Sequence, residues 1–252
     1  MVSGRPRCVD PGVKAYCLYR ARLSEDPSIV GIGNRIHELA RLLRAGHGHR
    51  VARAIATRLS SRDIAFGLRR DLTVPLSPPA PRLQVHVRPL DPHDPLPFLD
   101  ADAPGIEGVV AFDRVRQRRL LDDGIGTCWV ATAPAGEVCF MQWLIASSSN
   151  DRIQERWPKL FPVLGPDEAL LEGAYTPEQY RGQGIMAYAV AVIAEHAADL
   201  GARWVVTFVG TDNIPSLKGC RRAGFTPYVE RQEKWLLGRR TTRFTPLDDA
   251  GS

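Results

Sequence analysis

The chain has 252 residues, 44% of them hydrophobic, and 33 Lys and Arg against 28 Asp and Glu give a formal net charge of +5. That length and apolar fraction point to a globular chain of one large domain, or one domain plus an extension, while the basic balance favours acidic ligands without specifying a fold. Cys8, Cys17, Cys128, Cys139 and Cys220 are widely spread with no CxxC pair, which argues against a zinc site or a disulfide framework and fits reduced thiols in the cytoplasm.

The first periodic segment runs from Val30 to about Arg62. Ile36, Leu39, Ala40, Leu42 and Leu43, then Val51, Ala54, Ile55 and Leu59, recur at helical spacing on either side of an AGHGH break, which predicts two basic amphipathic helices. Their arginines (Arg35, Arg41, Arg44, Arg50, Arg53, Arg58 and Arg62) lie mostly off the apolar face, as a solvated surface or as a face for phosphate, a partner or a membrane surface. Trp and Tyr are not interleaved with them, which argues against nucleic acid. His47 and His49 have no companion ligands for a metal, so none is expected. GIGNRI (31–36) opens like a dinucleotide fingerprint but lacks the third glycine and a preceding strand, and no GxxxxGK[ST] loop occurs.

Pro75, Pro78, Pro79 and Pro81 make residues 72–84 an extended connector. A domain boundary is expected there, with a helical extension and connector over 1–80 and a second domain over 81–252. In that second part LQVHVRPL (83–90) alternates like a strand, 106–121 suits a helix, and 127–147 reads as two strands around an APAGE turn. Residues 148–168 form a long connection, of a length that usually serves a pocket. A strand ALLEGAYT (169–176) follows, then a helix from about Ile185 to Leu200 ended by Gly201, a strand RWVVTFV (203–209), a helix from about Ile214 to Ala223 ended by Gly224, and a strand TPYVERQEKWLL (226–237). This order predicts an α/β fold with a mixed, mostly antiparallel central sheet flanked by helices, behind an N-terminal helical extension. The longest apolar run, near 185–195, is well below the roughly 20 residues of a membrane span, so no span is expected.

Between strand and helix stands EQYRGQGIM (178–186). Gly182 and Gly184 let a ligand approach the backbone, and the free N–H groups and positive dipole end of the following helix suit an anion. Arg181 adds charge there. About thirty residues later TDNIPSLKGCRRAGF (211–225) starts a helix with Asp212 or Asn213 as cap and Pro215 in its first turn.

Taken together, these two stretches make residues 83–246 resemble the GNAT superfamily of acyl-CoA N-acyltransferases. In that family an Arg or Gln followed by x-x-Gly-x-Gly/Ala cradles the pyrophosphate of coenzyme A, and a later Asn-x-x-Ala/Ser...Gly-Phe helix lies along the pantetheine arm. The matches here are Arg181, Gly184 and Met186, then Asn213, Ser216, Gly224 and Phe225. The resemblance implies acetyl-CoA or another acyl-CoA as cosubstrate, held by Ala174, Tyr175, Thr176, Arg181, Gly182, Gln183, Gly184, Ile185, Met186, Asn213 and Ser216. Two positions depart from the pattern: Met186 replaces Gly or Ala, and Cys220 stands where many members carry the tyrosine that protonates the departing thiolate. Tyr228 and Tyr175 are alternative donors.

Acyl transfer to an amine needs a base, because an alkylammonium has a pKa of about 10.4. Glu168 and Glu172 share one face of a regular strand; the resemblance favours Glu168, with Glu172 next. The implied activity is direct transfer of an acyl group, acetyl first, to a small-molecule or peptide amine. Alternatives are an acyl-CoA-binding module with altered catalysis, or transfer from a longer acyl-CoA or an acidic acyl carrier protein. Neither the acceptor nor the oligomeric state is legible in the sequence.

Overall fold

The computed structural model describes residues 60–247 apart from 107 and 238. The helices expected between Val30 and Arg62, with His47 and His49, fall outside the described residues as far as residue 59. In chain order the described elements are β1 (Ser60–Asp71), β2 (His86–Pro89), α1 (Gly108–Asp123), β3 (Thr127–Thr132), β4 (Val138–Ala146), α2 (Asn150–Arg156), β5 (Glu168–Tyr175), α3 (Ile185–Glu195), β6 (Trp204–Gly210), α4 (Ile214–Arg222), β7 (Thr226–Leu236) and β8 (Arg239–Pro246). The strands form one eight-stranded sheet in the order β2-β3-β4-β5-β6-β1-β7-β8. Every neighbouring pair is antiparallel except β5 and β6. This is the mixed, mostly antiparallel α/β architecture that the sequence predicts.

Period-2 alternation divides the apolar side chains between the two faces of the sheet. On β6, Val205 and Val209 join a cluster under α3 and α4 with Leu171, Ile185, Ala189, Ile193, Cys220 and Phe225. Val206 and Phe208 point the other way, into a cluster with Leu120 of α1, Ile153 of α2, Trp143, Trp157 and Phe161. The central strand β4 is buried along eight of its nine residues, as expected for a strand covered on both sides. Seven of the eleven residues of α3 are buried, so this Ala-rich helix is held by packing rather than by an exposed polar face.

Three elements differ from the sequence reading. Residues 60–71, whose first residues are read as the end of a helix, form β1, which pairs with β6 on one side and β7 on the other. The proline run therefore links two strands of the same sheet. Gly67 permits this insertion, because a Cβ there would meet Val229 Cγ1 at 2.3 Å and Phe208 Cε1 at 2.8 Å. The connection 148–168 contains the short helix α2. Finally, β8 pairs with β7 along its whole length; its largely exposed, Thr- and Arg-rich pattern gives no apolar alternation to read.

Candidate active site

β5 and β6 are in register only at Glu168–Trp204, Ala169–Val205 and Leu170–Val206. Beyond Leu170 the two strands part, while β5 stays on β4 as far as Tyr175, opposite Met141. The β4–β5 register slips between Met141 and Trp143, where Gly173 has φ +72° and a Cβ on it would lie 2.6 Å from the Trp143 ring. Such a bulge inserts one residue and re-aims its neighbours. Leu171 and Ala174, three apart, thus both pack on the α3 side, and Tyr175 packs on the α1 side.

A small cleft passes through this gap. Its α3–α4 side is lined by Met186, Asn213, Ser216 and Cys220, and its opposite side by Glu172, Phe161, Phe208 and Arg231. Gln142 Oε1 and Asn213 Nδ2, both from residues lining the cleft, are buried with no hydrogen-bond partner. A buried polar atom without a partner is costly, so these two atoms suit a polar ligand entering the gap.

The glycine turn stands at the start of α3. Gly182 has φ +77° with open space where a Cβ would be, and Gly184, at φ +79°, caps the helix without any side-chain cap bond. The first N–H groups of α3 therefore have no side-chain acceptor at the cap, as an anion site needs. Arg181 donates from Nε to the Thr176 carbonyl at 2.9 Å and pairs with Glu178 at 2.8 Å, which ties its charge to the turn. Gly219 makes room for Met186: a Cβ there would meet Met186 Sδ at 3.2 Å. Asn213 is the cap of α4, its Oδ1 accepting from the Ser216 N–H at 3.2 Å.

The two candidate bases separate. Glu172 is 9% exposed and lines the cleft, with Arg116 Nη2 donating to its Oε1 at 3.3 Å. Glu168 sits at the paired end of β5 and accepts the Gly165 N–H at 2.8 Å; it is not among the residues lining the cleft. Even spacing along the strand puts both carboxylates on one face, but the strands open only beside Glu172.

The candidate proton donors are all made weaker acids by burial. Cys220 lines the cleft and burial pushes its thiol up to about 12, so handing a proton to a departing thiolate with an ordinary pKa of about 8.5 runs uphill. The same shift leaves almost no thiolate at neutral pH for nucleophilic attack. Tyr228 lies outside the cleft lining, with Arg69 Cζ 5.2 Å from its ring centre, and burial pushes its hydroxyl up to about 12. Tyr175 stacks on Phe98 at 5.7 Å and is likewise raised by burial. Gln142, Phe161, Thr207, Phe208 and Arg231 also line the cleft and escape the sequence reading. For Phe161 the aromatic content of the 148–168 connection is a signal; the others depend on strand pairing that no local pattern carries.

Residues 111–225 match the profile of the Acetyltransferase (GNAT) family. Over that stretch the chain is similar to GNAT acetyltransferases. No curated protein matches the chain. Solved structures similar to it include a GNAT acetyltransferase from Colwellia psychrerythraea, at 14% identity over 69% of this chain and 56% of that one, with a TM-score of 0.46. Another is a GCN5-related N-acetyltransferase from Sphaerobacter thermophilus, at 13% identity over 78% of this chain and 56% of that one, TM-score 0.42. The chain thus spans less than two thirds of the length of either. Among the described residues, no helix is long and apolar enough to cross a membrane. Nor does any group of three or more His, Cys, Asp and Glu side chains among them form a metal site.

Proposed function

We propose that the protein is an acyl-CoA-dependent N-acyltransferase of the cytoplasm, moving an acetyl group in the first instance to a small-molecule or peptide amine. One observation carries this reading: a single cleft runs through the β5–β6 gap with Met186, Asn213 and Ser216 on one side of the sheet and Glu172 on the other. The donor supplies an activated thioester carbonyl. Its pyrophosphate suits the N–H groups at Gly182–Met186 with Arg181, and its amide-bearing arm suits the unpartnered Asn213 Nδ2 and Gln142 Oε1.

On the other side Glu172 takes a proton from the acceptor ammonium, and Arg116 steadies its carboxylate. Backbone groups of Ala174, Tyr175 and Thr176 border the opened edge of β5, where donors facing developing charge can lower the barrier by a few kcal/mol. Holding both substrates in one cleft favours direct attack, and the raised pKa of the buried Cys220 thiol disfavours an acyl-enzyme.

Calorimetric titration with coenzyme A, followed by turnover of acetyl-CoA with a panel of amines, tests this reading. Micromolar binding with turnover supports it; no heat at millimolar coenzyme A sinks it. Binding without turnover on any amine would instead favour a module with altered catalysis, the reading that the buried Cys220 suggests.

A further inference from the structure

The proline-rich connector does more than join β1 to β2. It runs across the glycine turn: Pro81 Cα lies 3.6 Å from where a Cβ on Gly184 would be, and the Arg82 N–H donates to the Gln183 carbonyl at 2.8 Å. We propose that the backbone amide of Arg82 positions this turn for its anionic ligand by holding the Gln183–Gly184 peptide in one orientation. The inference rests on the coenzyme reading above.

All peptide bonds among the described residues are trans, and in a trans peptide the C=O and the following N–H point in opposite directions. With the Gln183 carbonyl turned toward the connector, the Gly184 N–H faces away from it. Glycine accepts both signs of φ, so this peptide has little intrinsic resistance to flipping, and the flip would turn a carbonyl oxygen toward the ligand. The first bond of the helix does not prevent this, because Tyr188 N–H reaches the Gly184 carbonyl, which belongs to the next peptide. The constraint comes from the Arg82 amide outside it.

The donor itself is held rigidly. From 78 to 82 the sequence is PPAPR, where each proline fixes φ and lacks an N–H, so Arg82 and Ala80 carry the only backbone donors of the run. Leu76 and Leu83, on either side, pack against the α3–α4 cluster, and Leu76 Cδ2 lies 3.1 Å from the Cβ position of Gly224. An element expected to be a mere linker thus preorganises the turn, lowering the ordering cost that binding would otherwise carry.

Full-length Arg82→Pro and Arg82→Ala proteins separate the amide from the side chain, since only the proline variant loses the N–H. The expected result is coenzyme A binding at least tenfold weaker in Arg82→Pro than in Arg82→Ala. Their kcat/KM for S-acetylpantetheine, which lacks the pyrophosphate, should agree within a factor of two. A backbone ester at position 82, compared with Arg82→Ala, gives the same test if the proline variant does not fold. Equal coenzyme A affinity in the two variants, or parallel loss with coenzyme A and S-acetylpantetheine, overturns the proposal. Failure of wild-type protein to bind coenzyme A overturns the coenzyme reading itself, a result distinct from either.

Discussion

Arg116 Nη2 lies 3.3 Å from Glu172 Oε1, with both side chains buried between helix α1 and the opened end of β5. A cation from one side of the sheet thereby anchors the one acidic side chain among the described residues that lines the cleft. Glu168, four residues earlier, is spent on the Gly165 amide. The pair holds Glu172, and not Glu168, at the gap.

If Glu172 is the base, Glu172→Gln lowers kcat by roughly 10²–10⁴ with coenzyme A affinity little changed. Glu168→Gln instead weakens a hydrogen bond at the start of β5, and its expected cost is about 1 kcal/mol of stability. Steady-state rates with one amine, beside chemical denaturation of both variants, check this; a larger rate loss for Glu168→Gln would reverse the assignment.

Gly173→Ala should be strongly destabilising. Its Cβ would enter the Trp143 ring at 2.6 Å and its backbone sits at φ +72°, so overpacking and left-handed strain add to roughly 2–4 kcal/mol. Thermal unfolding of the variant reads this as a fall in Tm of several degrees, while a change near zero would mean that the bulge can relax.

Asn213→Ala removes the cap of α4 and the amide facing the cleft together. The expected outcome is about 1 kcal/mol less stability accompanied by a raised KM for acyl-CoA. Asn213→Asp preserves the cap acceptor but not the donor, so it should recover the stability and not the KM.

Glu233 gives a pH-dependent prediction. Its side chain is 1% exposed, Oε1 accepts the Trp235 indole N–H at 2.9 Å, and burial raises its carboxyl pKa despite the nearby Arg240 and Arg231. A raised folded-state pKa contributes stability that is fully present below the unfolded value, about 4.3, and is lost as pH rises through the folded value. Glu233→Gln keeps an acceptor for Trp235 without the charge. It should therefore be more stable than wild type at pH 7, by a margin that shrinks toward pH 4; Tm measured from pH 4 to 8 in both proteins is the check.

The residues that hold the proposed coenzyme are legible because their chemistry is local. Left-handed glycines at 182 and 184, an asparagine cap at 213 and a glycine stop at 224 each declare their backbone within a few residues. The same holds for α3, whose apolar composition marks it as buried, and for the alternation of β6 between two cores. The acid that borders the gap is different. Period-2 reasoning places Glu168 and Glu172 together, and nothing local says that β5 leaves β6 after Leu170.

The amino-acid sequence alone thus determined the glycine turn, the capped helix after it and the mixed sheet, since each depends on neighbours in the chain. Only the tertiary structure decided that Ser60–Asp71 enters the sheet between β6 and β7, that the connector's Arg82 amide grips the turn, and that Glu172 rather than Glu168 borders the gap. These features arise from partners far apart in sequence, Ser60 with Leu236 and Arg82 with Gln183 among them. Strand register and loop docking are chosen by which surfaces can be buried together, a property of the whole fold that no short stretch carries.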